Sequence, residues 1–536
     1  MEKRSVLFFA LLLFGFCGLM TRYFSLTEGG VSAASSGQST TTVTVATARG
    51  TIYDRRLRPL VNDTTETRLC IAPHEKTVAA LSRLLPTEVF APLNERLRGG
   101  RPVVSIVDEE PSPVAGVLAF HTPVRNGGTL FAPHLVGYLS GDGVNGAVGL
   151  EKAYNDYLNA CGGRLSVRYD VNAVGALLAQ DNPVVQDTLA DAAAGLVLTI
   201  DREMQNMAEQ VAAEQLKKGA IVILDADSAE VLASVSVPSF QPRTVADCLD
   251  DPDAPLLDRT LCNYNCGSVF KIVSAAAALE SGVPLTRRYV CNGSVTIDGV
   301  TFHCHNRLGH GELNMTEAFA CSCNCYFIRL MQDVGAAPLY NMAVTLGFDR
   351  AVVLADEYKT ARAALPTLEE LQASRPALAN LSFGQGALLA TPVHLARLVQ
   401  TAVNDGELLR PSVVRGTVNA AGEVTPLTPT PPQTAFSPAT AAALRQMMLA
   451  ATADGATGEK ARPLNGGAGG KTGTAESGWI TDNGRAVQNW FVGFYPAEQP
   501  RYVVAVLAED SGTTGVTAAP VFRRLCDGLY TFLLEN

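Results

Sequence analysis

Two apolar strand pairs, far apart in the sequence, constrain the fold more than any other feature of the chain. KKGAIVILDADSAEVLASVSVP (217–238) contains two apolar runs around a turn at Asp225–Ser228, and QNWFVGFYPAEQPRYVVAVLAED (488–510) contains two more around a proline-bounded turn. An amphipathic helix is predicted over 519–535. Ala-rich sequence with a helical pattern lies between the pairs and includes residues 268–281, 315–333 and 437–452. This order predicts one antiparallel sheet, closed by its two ends and covered by helices, in an α/β (α+β) fold.

The size and charge of the chain limit its class. A chain of 536 residues is long enough for two or more domains, each with its own core. Hydrophobic residues make up 47% and charged residues 18%, which is typical of a globular protein and not of a disordered one. The formal net charge of −10 argues against a general nucleic-acid binder, which would carry a basic face.

The N-terminal residues predict a membrane anchor. Lys3 and Arg4 precede an apolar run over Val6–Met20, which is close to the minimum length of a membrane span. These positive residues predict a cytoplasmic N-terminus and an extracellular location for the rest of the chain. Residues 1–22 are therefore interpreted as the cytoplasmic tip and transmembrane anchor of a single-pass cell-membrane protein. A cleaved signal peptide is the alternative interpretation.

Three further segments follow the predicted anchor. Residues 23–43 form a polar linker that contains SAASSGQSTTT. Residues 44–200 are predicted to form a first domain of short strands and helices, in which no catalytic signature is found. Residues 201–536 are predicted to form a second domain, which contains both strand pairs and all the motifs described next.

A serine and a lysine stand at the start of the helical stretch GSVFKIVSAAAALE. Ser268 and Lys271 are three positions apart, so they lie on one helix face and the lysine amine can reach the serine hydroxyl. The Ala-rich sequence predicts a buried helix, and burial lowers the pKa of a lysine. A neutral amine can accept the proton of a serine nucleophile. The competing interpretation is an ordinary N-cap serine followed by a surface lysine, because Ser-x-x-Lys is a short pattern.

A second polar pattern lies in ACSCNCYF, where Ser322 and Asn324 alternate with three cysteines. A second hydroxyl beside the lysine can relay a proton to a leaving amine, and an amide can hold the lysine or the substrate. Taken alone, this pattern is equally compatible with a buried loop of small residues.

A third pattern, GGAGGKTGTAESGW, precedes the last strand pair. Its Lys471 and Thr472 are suited to bind a carboxylate. A phosphate-binding loop is the competing interpretation of Gly-Lys-Thr. However, Asn465 stands where that loop requires its first glycine, no strand leads directly into the segment, and no helical pattern follows it.

The order of the three patterns, Ser-x-x-Lys, Ser-x-Asn and Lys-Thr-Gly, resembles the signature of penicillin-binding proteins and serine β-lactamases. Nearly the whole chain resembles a class B penicillin-binding protein, a monofunctional peptidoglycan D,D-transpeptidase. RGTIYDRRLRPL (49–60) resembles the start of that family's pedestal domain, and GAVGLEKAYNDYL (146–158) resembles its Gly-Leu-Glu segment. The chain departs from many relatives at Asn265 and Cys266, where they have two prolines.

The resemblance implies an architecture, an activity and partners. It implies a β-lactamase-like transpeptidase domain with a five-stranded antiparallel sheet over 201–536, and an N-terminal pedestal domain of the dimerisation type over 44–200. It implies an enzyme of cell-wall synthesis that β-lactams acylate. The implied partners are peptidoglycan stem peptides, β-lactams, the membrane, and a multi-pass membrane glycosyltransferase of the shape, elongation, division and sporulation family. Neither a cofactor nor a metal is expected.

The resemblance also assigns roles to the site residues. Ser268 is the nucleophile that attacks the carbonyl between two D-alanines, and Lys271 is its base. Ser322 passes a proton to the departing D-alanine, and Asn324 holds Lys271 and the peptide. Backbone N–H groups of Ser268 and Thr474 are expected to hold the oxyanion. The substrate-binding residues are Lys471, Thr472, Gly473 and Thr474.

Two alternative functions remain open at this point. A β-lactamase or D,D-carboxypeptidase would share the three patterns, although residues 44–200 are a larger N-terminal domain than those enzymes usually carry. A non-catalytic β-lactam-binding sensor or scaffold is the other alternative, although all three patterns are intact. The cell-wall role implied by the resemblance is in elongation, division or sporulation.

Seven of the 12 cysteines lie within residues 262–325. Cys321, Cys323 and Cys325 flank the second pattern and are predicted to be small buried side chains, because free cysteine is often buried. A redox switch is the alternative interpretation.

The segment YVCNGSVTIDGVTFHC predicts a hairpin that turns at Asp298 and the glycine after it. This hairpin places Cys291 nearly opposite Cys304, which makes a disulfide plausible within the allowed Cα spacing. Zinc bound by these two cysteines with His303 or His305 is disfavoured, because the spacing does not match that of zinc sites.

Overall fold

The computed structural model describes residues 13–22, 39–127, 131–172, 177–178, 183–481, 484–509 and 518–534, and it describes side chains outside 477–485. The chain divides into two compact units. The first comprises Met1–Ala48, Asn62–Gly127 and Gly162–Ala192, and the second comprises Arg49–Val61, Gly128–Cys161 and Ala193–Asn536. The division does not follow a single boundary at residue 200, because 49–61 and 128–161 belong to the second unit.

The described elements are numbered in chain order. The strands are β1 (Ser39–Ala48), β2 (Thr51–Tyr53), β3 (Thr64–Ile71), β4 (Val103–Val107), β5 (Val117–Val124), β6 (Gly163–Val171), β7 (Val184–Asp187), β8 (Gly195–Leu198), β9 (Gly219–Asp225), β10 (Val231–Val237), β11 (Tyr289–Cys291), β12 (Ser294–Ile297), β13 (Val300–His303), β14 (Gly311–Leu313), β15 (Val353–Ala355), β16 (Tyr358–Lys359), β17 (Glu407–Leu408), β18 (Val414–Val418), β19 (Val424–Pro426), β20 (Gln433–Thr434), β21 (Gly469–Thr481), β22 (Gly484–Tyr495) and β23 (Tyr502–Ala508).

The helices are α1 (13–22), α2 (Glu75–Leu84), α3 (Thr87–Leu97), α4 (Pro133–Val136), α5 (Gly149–Ala153), α6 (Asn155–Ala160), α7 (Arg202–Gln215), α8 (Lys271–Glu280), α9 (Met315–Ala320), α10 (Asn324–Val334), α11 (Ala336–Thr345), α12 (Leu368–Ala373), α13 (Arg375–Ser382), α14 (Pro392–Val403), α15 (Pro438–Ala450) and α16 (Ala518–Leu534). Short 3₁₀ helices span Leu189–Ala193, Pro242–Cys248, Gly267–Phe270 and Glu459–Ala461.

The N-terminal part of the chain is described only over α1. Residues 1–12 of the predicted anchor and 23–38 of the predicted linker lie outside the described residues. Within the described part of the chain, no helix has both the length and the apolar character that a membrane crossing requires. The anchor therefore stays a prediction. Strand β1 begins at Ser39, inside the range assigned to the linker.

The first unit contains two three-stranded antiparallel sheets, in the orders β1-β6-β7 and β4-β3-β5. Leu69 and Ile71 of β3 pack in one core with Leu81 of α2 and Leu93 of α3. Cys70 lies between them in the sequence and packs in a different core, with residues of β1 and β6. This alternation is expected, because successive side chains of a strand point to opposite faces.

The main sheet of the second unit has five antiparallel strands in the order β10-β9-β23-β22-β21. The two strand pairs recognised in the sequence meet where β9 pairs with β23, with Val222 opposite Ala505. The predicted antiparallel sheet, closed by its two ends, is confirmed.

Both faces of this sheet are buried. Ile221 and Ile223 of β9 lie in a core that includes Phe522 of α16 and side chains of α7. Val222 and Leu224 lie in the larger core on the other face, with residues of α8, α14 and α15. Burial on both faces explains why β9 is a continuous apolar run rather than an alternating one.

The helical stretch predicted over 315–333 is interrupted in the structure. Helix α9 ends at Ala320 and α10 begins at Asn324, with a tight turn between them. Ser322 in this turn has φ of +54°, in the left-handed region that residues with side chains rarely adopt. The interruption places Ser322 in the turn and Asn324 at the first position of α10.

The segments at 49–60 and 146–158 meet in the second unit. Nε of Arg49 lies 3.3 Å from a carboxylate oxygen of Glu151, and both side chains are buried. Asp54 is fully buried, forms an ion pair of 2.6 Å with Arg58, and accepts backbone N–H bonds from Arg56 and Arg58. Strand β2, between Arg49 and Asp54, pairs in parallel with β8.

Candidate active site

The site begins at the junction of a 3₁₀ turn and α8. Ser268 lies in the turn Gly267–Phe270, and Lys271 is the first residue of α8. Nζ of Lys271 lies 2.7 Å from Oγ of Ser268, which confirms the predicted contact between these side chains. Lys271 is fully buried, and the side chain of Ser268 caps no helix. The interpretation as an N-cap serine and a surface lysine is therefore wrong.

The turn between α9 and α10 surrounds the same amine. Nζ of Lys271 lies 2.7 Å from Oδ1 of Asn324, 3.2 Å from Oγ of Ser322 and 3.1 Å from the Ser322 carbonyl oxygen. Nδ2 of Asn324 donates to the carbonyl of His303 at 3.2 Å, which fixes the amide so that its oxygen faces the lysine. The four predicted catalytic side chains are thus brought together around one nitrogen.

The environment of Lys271 brings the pKa of its amine closer to neutral pH. Burial lowers the pKa of Lys271 to about 8, and the sulfurs of nearby cysteines act in the opposite direction. Three side-chain oxygens and one carbonyl oxygen surround the Lys271 nitrogen and orient its hydrogens and its lone pair. With a pKa of about 8, roughly a tenth of the amine is neutral at pH 7, and this form can accept the proton of Ser268.

Strand β21 is an edge strand of the main sheet and lies against the serine turn. A Cβ built on Gly473 would lie 2.7 Å from the carbonyl oxygen of Cys266, and one built on Gly267 would lie 2.7 Å from the carbonyl oxygen of Thr474. Gly267 also has φ of +53°. Glycine at both positions therefore permits the close approach of β21 to Ser268.

Asn265 adds polar contacts to the same junction. Its backbone N–H donates to Oε1 of Gln488 at 2.8 Å, its Nδ2 donates to the Glu476 carbonyl at 3.0 Å, and its carbonyl accepts from Nε1 of Trp490 at 2.9 Å. The departure from the family's two prolines thus places an amide that ties the serine turn to β21 and β22.

The third pattern places two threonines at the surface of the site and a lysine below it. Lys471 is fully buried, and its Nζ lies 3.2 Å from the carbonyl of Thr472 and 5.6 Å from the centre of the Phe319 ring. Burial and, secondarily, the charge of Lys271 hold the pKa of Lys471 well below its usual value. Oγ1 of Thr474 lies 3.4 Å from Oδ1 of Asn489.

A cleft of about 970 Å³ opens over these groups. Ser268, Ser322, Asn324, Thr472, Gly473 and Thr474 all line it. Lys271 and Lys471 do not line the cleft and lie beneath its floor. Several lining residues were not recognised in the sequence, because no local pattern marks them: His305, Asn380, Phe383, Gln385, Thr457, Asn489 and Trp490.

The cysteine-rich segment lies beside the site. The predicted hairpin forms, with Ile297 opposite Val300 across a turn at Asp298. Cys291 and Cys304 are free thiols, so the predicted disulfide is not formed in this structure. Their sulfurs lie with His310 Nδ1 and Cys323 Sγ in a group whose ligand atoms are all within 4.8 Å of one another. Within the described residues these four side chains could hold a metal ion; His310 rather than His303 or His305 belongs to the group.

Comparison with known proteins agrees with this geometry. The family model of the penicillin-binding protein transpeptidase domain matches residues 219–527, which is more than half of the chain. The peptidoglycan D,D-transpeptidase PbpA of Mycolicibacterium smegmatis is 31% identical over 57% of this chain and 66% of its own length, so the match spans just under two thirds of that relative.

Two solved structures share the fold. The D,D-transpeptidase domain of a peptidoglycan glycosyltransferase from Eggerthella lenta is 26% identical, with a TM-score of 0.64 over 91% of this chain and 99% of that one. Penicillin-binding protein A of M. tuberculosis, solved as a ceftriaxone acyl-enzyme, is 25% identical, with a TM-score of 0.61 over 73% of this chain and 89% of that one. The chain therefore belongs to the penicillin-binding protein transpeptidase family, in agreement with its resemblance to the class B members.

Proposed function

We propose that this protein is a peptidoglycan D,D-transpeptidase that works through an acyl-enzyme on Ser268. The observation that carries the proposal is the 2.7 Å contact between Oγ of Ser268 and Nζ of the fully buried Lys271, at the floor of an open cleft. A nucleophile and base in hydrogen-bond contact, with the base oriented by a third group, is the arrangement of nucleophilic catalysis. Asn324 is that third group.

In the acylation step, Ser268 Oγ attacks the carbonyl carbon between two D-alanines, and its proton passes to Lys271. The oxyanion of the tetrahedral intermediate is received by backbone N–H groups of Ser268 and Thr474, each worth about 2.7–4 kcal/mol in the transition state. The carbon–nitrogen bond then breaks. The leaving D-alanine amine takes a proton from Lys271 through the hydroxyl of Ser322, whose Oγ is 3.2 Å from the lysine.

In the second step, an amine of a neighbouring stem peptide attacks the acyl-enzyme. A new carbon–nitrogen bond forms and the bond to Ser268 Oγ breaks. The proton released by the acceptor amine returns to Ser268 through the same groups, so no net proton is gained or lost by the enzyme. The open cleft gives the acceptor access to the acylated serine.

The terminal carboxylate of the donor peptide binds at β21. Thr472 and Thr474 line the cleft and supply hydroxyl donors, and Gly473 between them leaves the strand close to Ser268. Lys471 supports this binding from below, because its Nζ lies against the carbonyl of Thr472. β-Lactams carry a carboxylate and a reactive carbonyl in similar positions, and on this account they acylate Ser268 as ceftriaxone acylates the M. tuberculosis relative.

The proposal is tested with Ser268→Ala and a matched control, Ser281→Ala. Ser281 follows α8 at the surface, and its hydroxyl bonds only to the carbonyl of Ala277 among the described contacts. The full chain is incubated with a donor stem pentapeptide and an amine acceptor, and the products are resolved by mass. Wild type and Ser281→Ala should form the cross-linked product and Ser268→Ala should not. Release of D-alanine without cross-linking would favour a carboxypeptidase, and rapid β-lactam hydrolysis a β-lactamase.

The cellular context is a further part of the proposal. The basic residues Lys3 and Arg4 before the apolar run Val6–Met20 support a single-pass cell-membrane protein with a cytoplasmic N-terminus and an extracellular catalytic domain. The resemblance to class B proteins supports a multi-pass glycosyltransferase of the shape, elongation, division and sporulation family as a partner. Protease treatment of intact cells should degrade the C-terminal part of the chain, and co-purification from membranes should recover the glycosyltransferase.

A further inference from the structure

Four potential metal ligands that are distant in sequence converge beside the active site. Cys291 ends β11, Cys304 directly follows β13, His310 directly precedes β14, and Cys323 is the N-cap of α10. Their sulfur and Nδ1 atoms all lie within 4.8 Å of one another, and the three cysteines are buried. Four separate elements therefore bring one ligand atom each to a single point.

Three of the six distances between these atoms match those of a tetrahedral zinc ion, and the other three are within 4.8 Å. With Zn–S bonds of about 2.3 Å and Zn–N bonds of about 2.0–2.1 Å, tetrahedral geometry places two sulfurs about 3.8 Å apart and a sulfur and a nitrogen about 3.6 Å apart. Sγ of Cys304 lies 3.9 Å from Sγ of Cys323. Nδ1 of His310 lies 3.6 Å from Sγ of Cys291 and 3.5 Å from Sγ of Cys304.

The sulfur of Cys323 also accepts a hydrogen bond from the backbone. The backbone N–H of Tyr326 donates to Sγ of Cys323 at 3.4 Å, so that this sulfur acts as a hydrogen-bond acceptor at the start of α10. Hydrogen bonds of this kind commonly support metal-bound ligands.

We propose that Cys291, Cys304, His310 and Cys323 form a zinc site of the Cys₃His type. Four protein ligands complete the tetrahedron and leave no position for water or substrate, so the ion is structural rather than catalytic. Thiolate and imidazole ligands in this geometry select zinc over calcium or magnesium, which prefer oxygen. The site lies outside the reaction and adds a metal to a protein whose chemistry requires none.

The zinc ion positions catalytic groups through Cys323. This residue lies between Ser322 and Asn324, both of which contact Lys271. The turn is held in an uncommon conformation, with Ser322 at φ of +54°, and such conformations persist only where surrounding contacts fix them. The ion ties this turn to β11 and to the hairpin that ends at His303, whose carbonyl accepts from Asn324.

The zinc assignment is tested first by metal content, which does not depend on the proposed transpeptidase activity. The full chain is purified under reducing conditions without metal-affinity steps, dialysed against metal-free buffer, and analysed by elemental mass spectrometry. About one zinc ion per chain is expected. Replacement by Co²⁺ should give the intense visible absorption of tetrahedral cobalt with thiolate ligands. Metal-free protein that binds neither ion, or a loss of two hydrogen masses that shows a disulfide, would overturn the assignment.

Variants identify the ligands. Cys304→Ser should lose the zinc, whereas Cys321→Ser should retain it, because Sγ of Cys321 lies 3.8 Å from the Ala318 carbonyl and outside the four-ligand group. Cys325 lies close to Cys304 but outside the four-ligand group, so Cys325→Ser should also retain the zinc. Loss of zinc from Cys325→Ser, or its retention in Cys304→Ser, would contradict the set of ligands. The cobalt spectrum of the wild type remains informative if Cys304→Ser fails to fold.

The positioning role rests on the proposed function and has its own measurement. Zinc is removed from the wild-type protein with a chelator, and folding is checked by circular dichroism. The maximal rate of Ser268 acylation by a fluorescent penicillin should fall on the order of 10- to 100-fold, as expected when catalytic groups shift by about 1 Å. Added Zn²⁺ should restore the rate. An unchanged rate in folded zinc-free protein would remove the positioning role and leave the metal assignment standing.

Discussion

The contact between Gly473 and the serine turn gives the sharpest mutational prediction. In Gly473→Ala, the new Cβ would lie 2.7 Å from the carbonyl oxygen of Cys266 and 2.9 Å from Cγ2 of Val269. Ordinary contacts begin at 3.4 Å, so β21 and the serine turn must separate by about 0.7 Å. Overpacking of this kind costs about 1–3 kcal/mol of stability. A shift of nearly 1 Å between Ser268 and β21 lowers the acylation rate about 10- to 100-fold.

The assay compares Gly473→Ala with Gly141→Ala. Gly141 has no atom within 4 Å of a built Cβ, so its substitution should leave stability and activity unchanged. Acylation is followed with a fluorescent penicillin in stopped-flow, and unfolding with urea. The separation predicts a slower acylation in Gly473→Ala even at temperatures where the variant is fully folded. Wild-type acylation kinetics in folded Gly473→Ala would refute the argument that this glycine sets the distance between β21 and Ser268.

Three further predictions concern buried ionisable groups. Lys271→Met fills the same buried space without a base, and should reduce penicillin acylation about 10²- to 10⁴-fold in a protein that remains folded by circular dichroism. Burial lowers the pKa of His394 from 6.5 to about 4, so the unfolded chain binds the proton more tightly than the folded one. Protonation of His394 should therefore lower the free energy of unfolding by about 3 kcal/mol as the pH drops from 6.5 to 4. Urea titrations of His394→Gln should show a smaller fall over the same pH range. Asp54→Ala removes the acceptor of two backbone N–H groups and one of the two carboxylate partners of Arg58, whose other partner is Glu203. The free energy of unfolding in urea should fall by about 1–3 kcal/mol, more than in Asp54→Asn.

Much of the main sheet could be predicted from the sequence because its strands carry local signals. Two apolar runs around a turn identify a strand pair, and β9 with β10, and β22 with β23, are such pairs. The pairing of β9 with β23 is expected because the strand pairs lie at the two ends of the domain and were predicted to form one sheet. The sequence did not indicate which segments belong to which unit. Strand β2 joins the second unit because it pairs in parallel with β8, about 140 positions later in the sequence.

Part of the candidate site could also be predicted, because one of its contacts is between residues close in the sequence. Ser268 and Lys271 are three positions apart, so helical geometry alone brings them together. The approach of Ser322 and Asn324 to Lys271 depends on a turn with a left-handed residue, which no local pattern in the sequence indicates. Only the order of the motifs pointed to this approach. The burial of Lys471 beneath the cleft was also unexpected, because a carboxylate-binding lysine is normally placed at the surface.

The group of Cys291, Cys304, His310 and Cys323 was predicted least well from the sequence. The hairpin correctly placed Cys291 and Cys304 near each other and made a disulfide plausible, but both are free thiols in the structure. His310 and Cys323 come from outside that hairpin, so the spacing of the four ligands matches no short zinc pattern. The crowding of cysteines around Ser322 was the one available signal.

The central claim, that Ser268 is the nucleophile, is tested most directly by locating a covalent adduct. The full chain is incubated with benzylpenicillin, quenched in acid, digested and analysed by tandem mass spectrometry. One penicilloyl group per chain is expected, carried by Ser268 in the peptide that also contains Gly267. An adduct on Ser322 or another residue, or an unmodified Ser268 in protein that binds the drug, would contradict it.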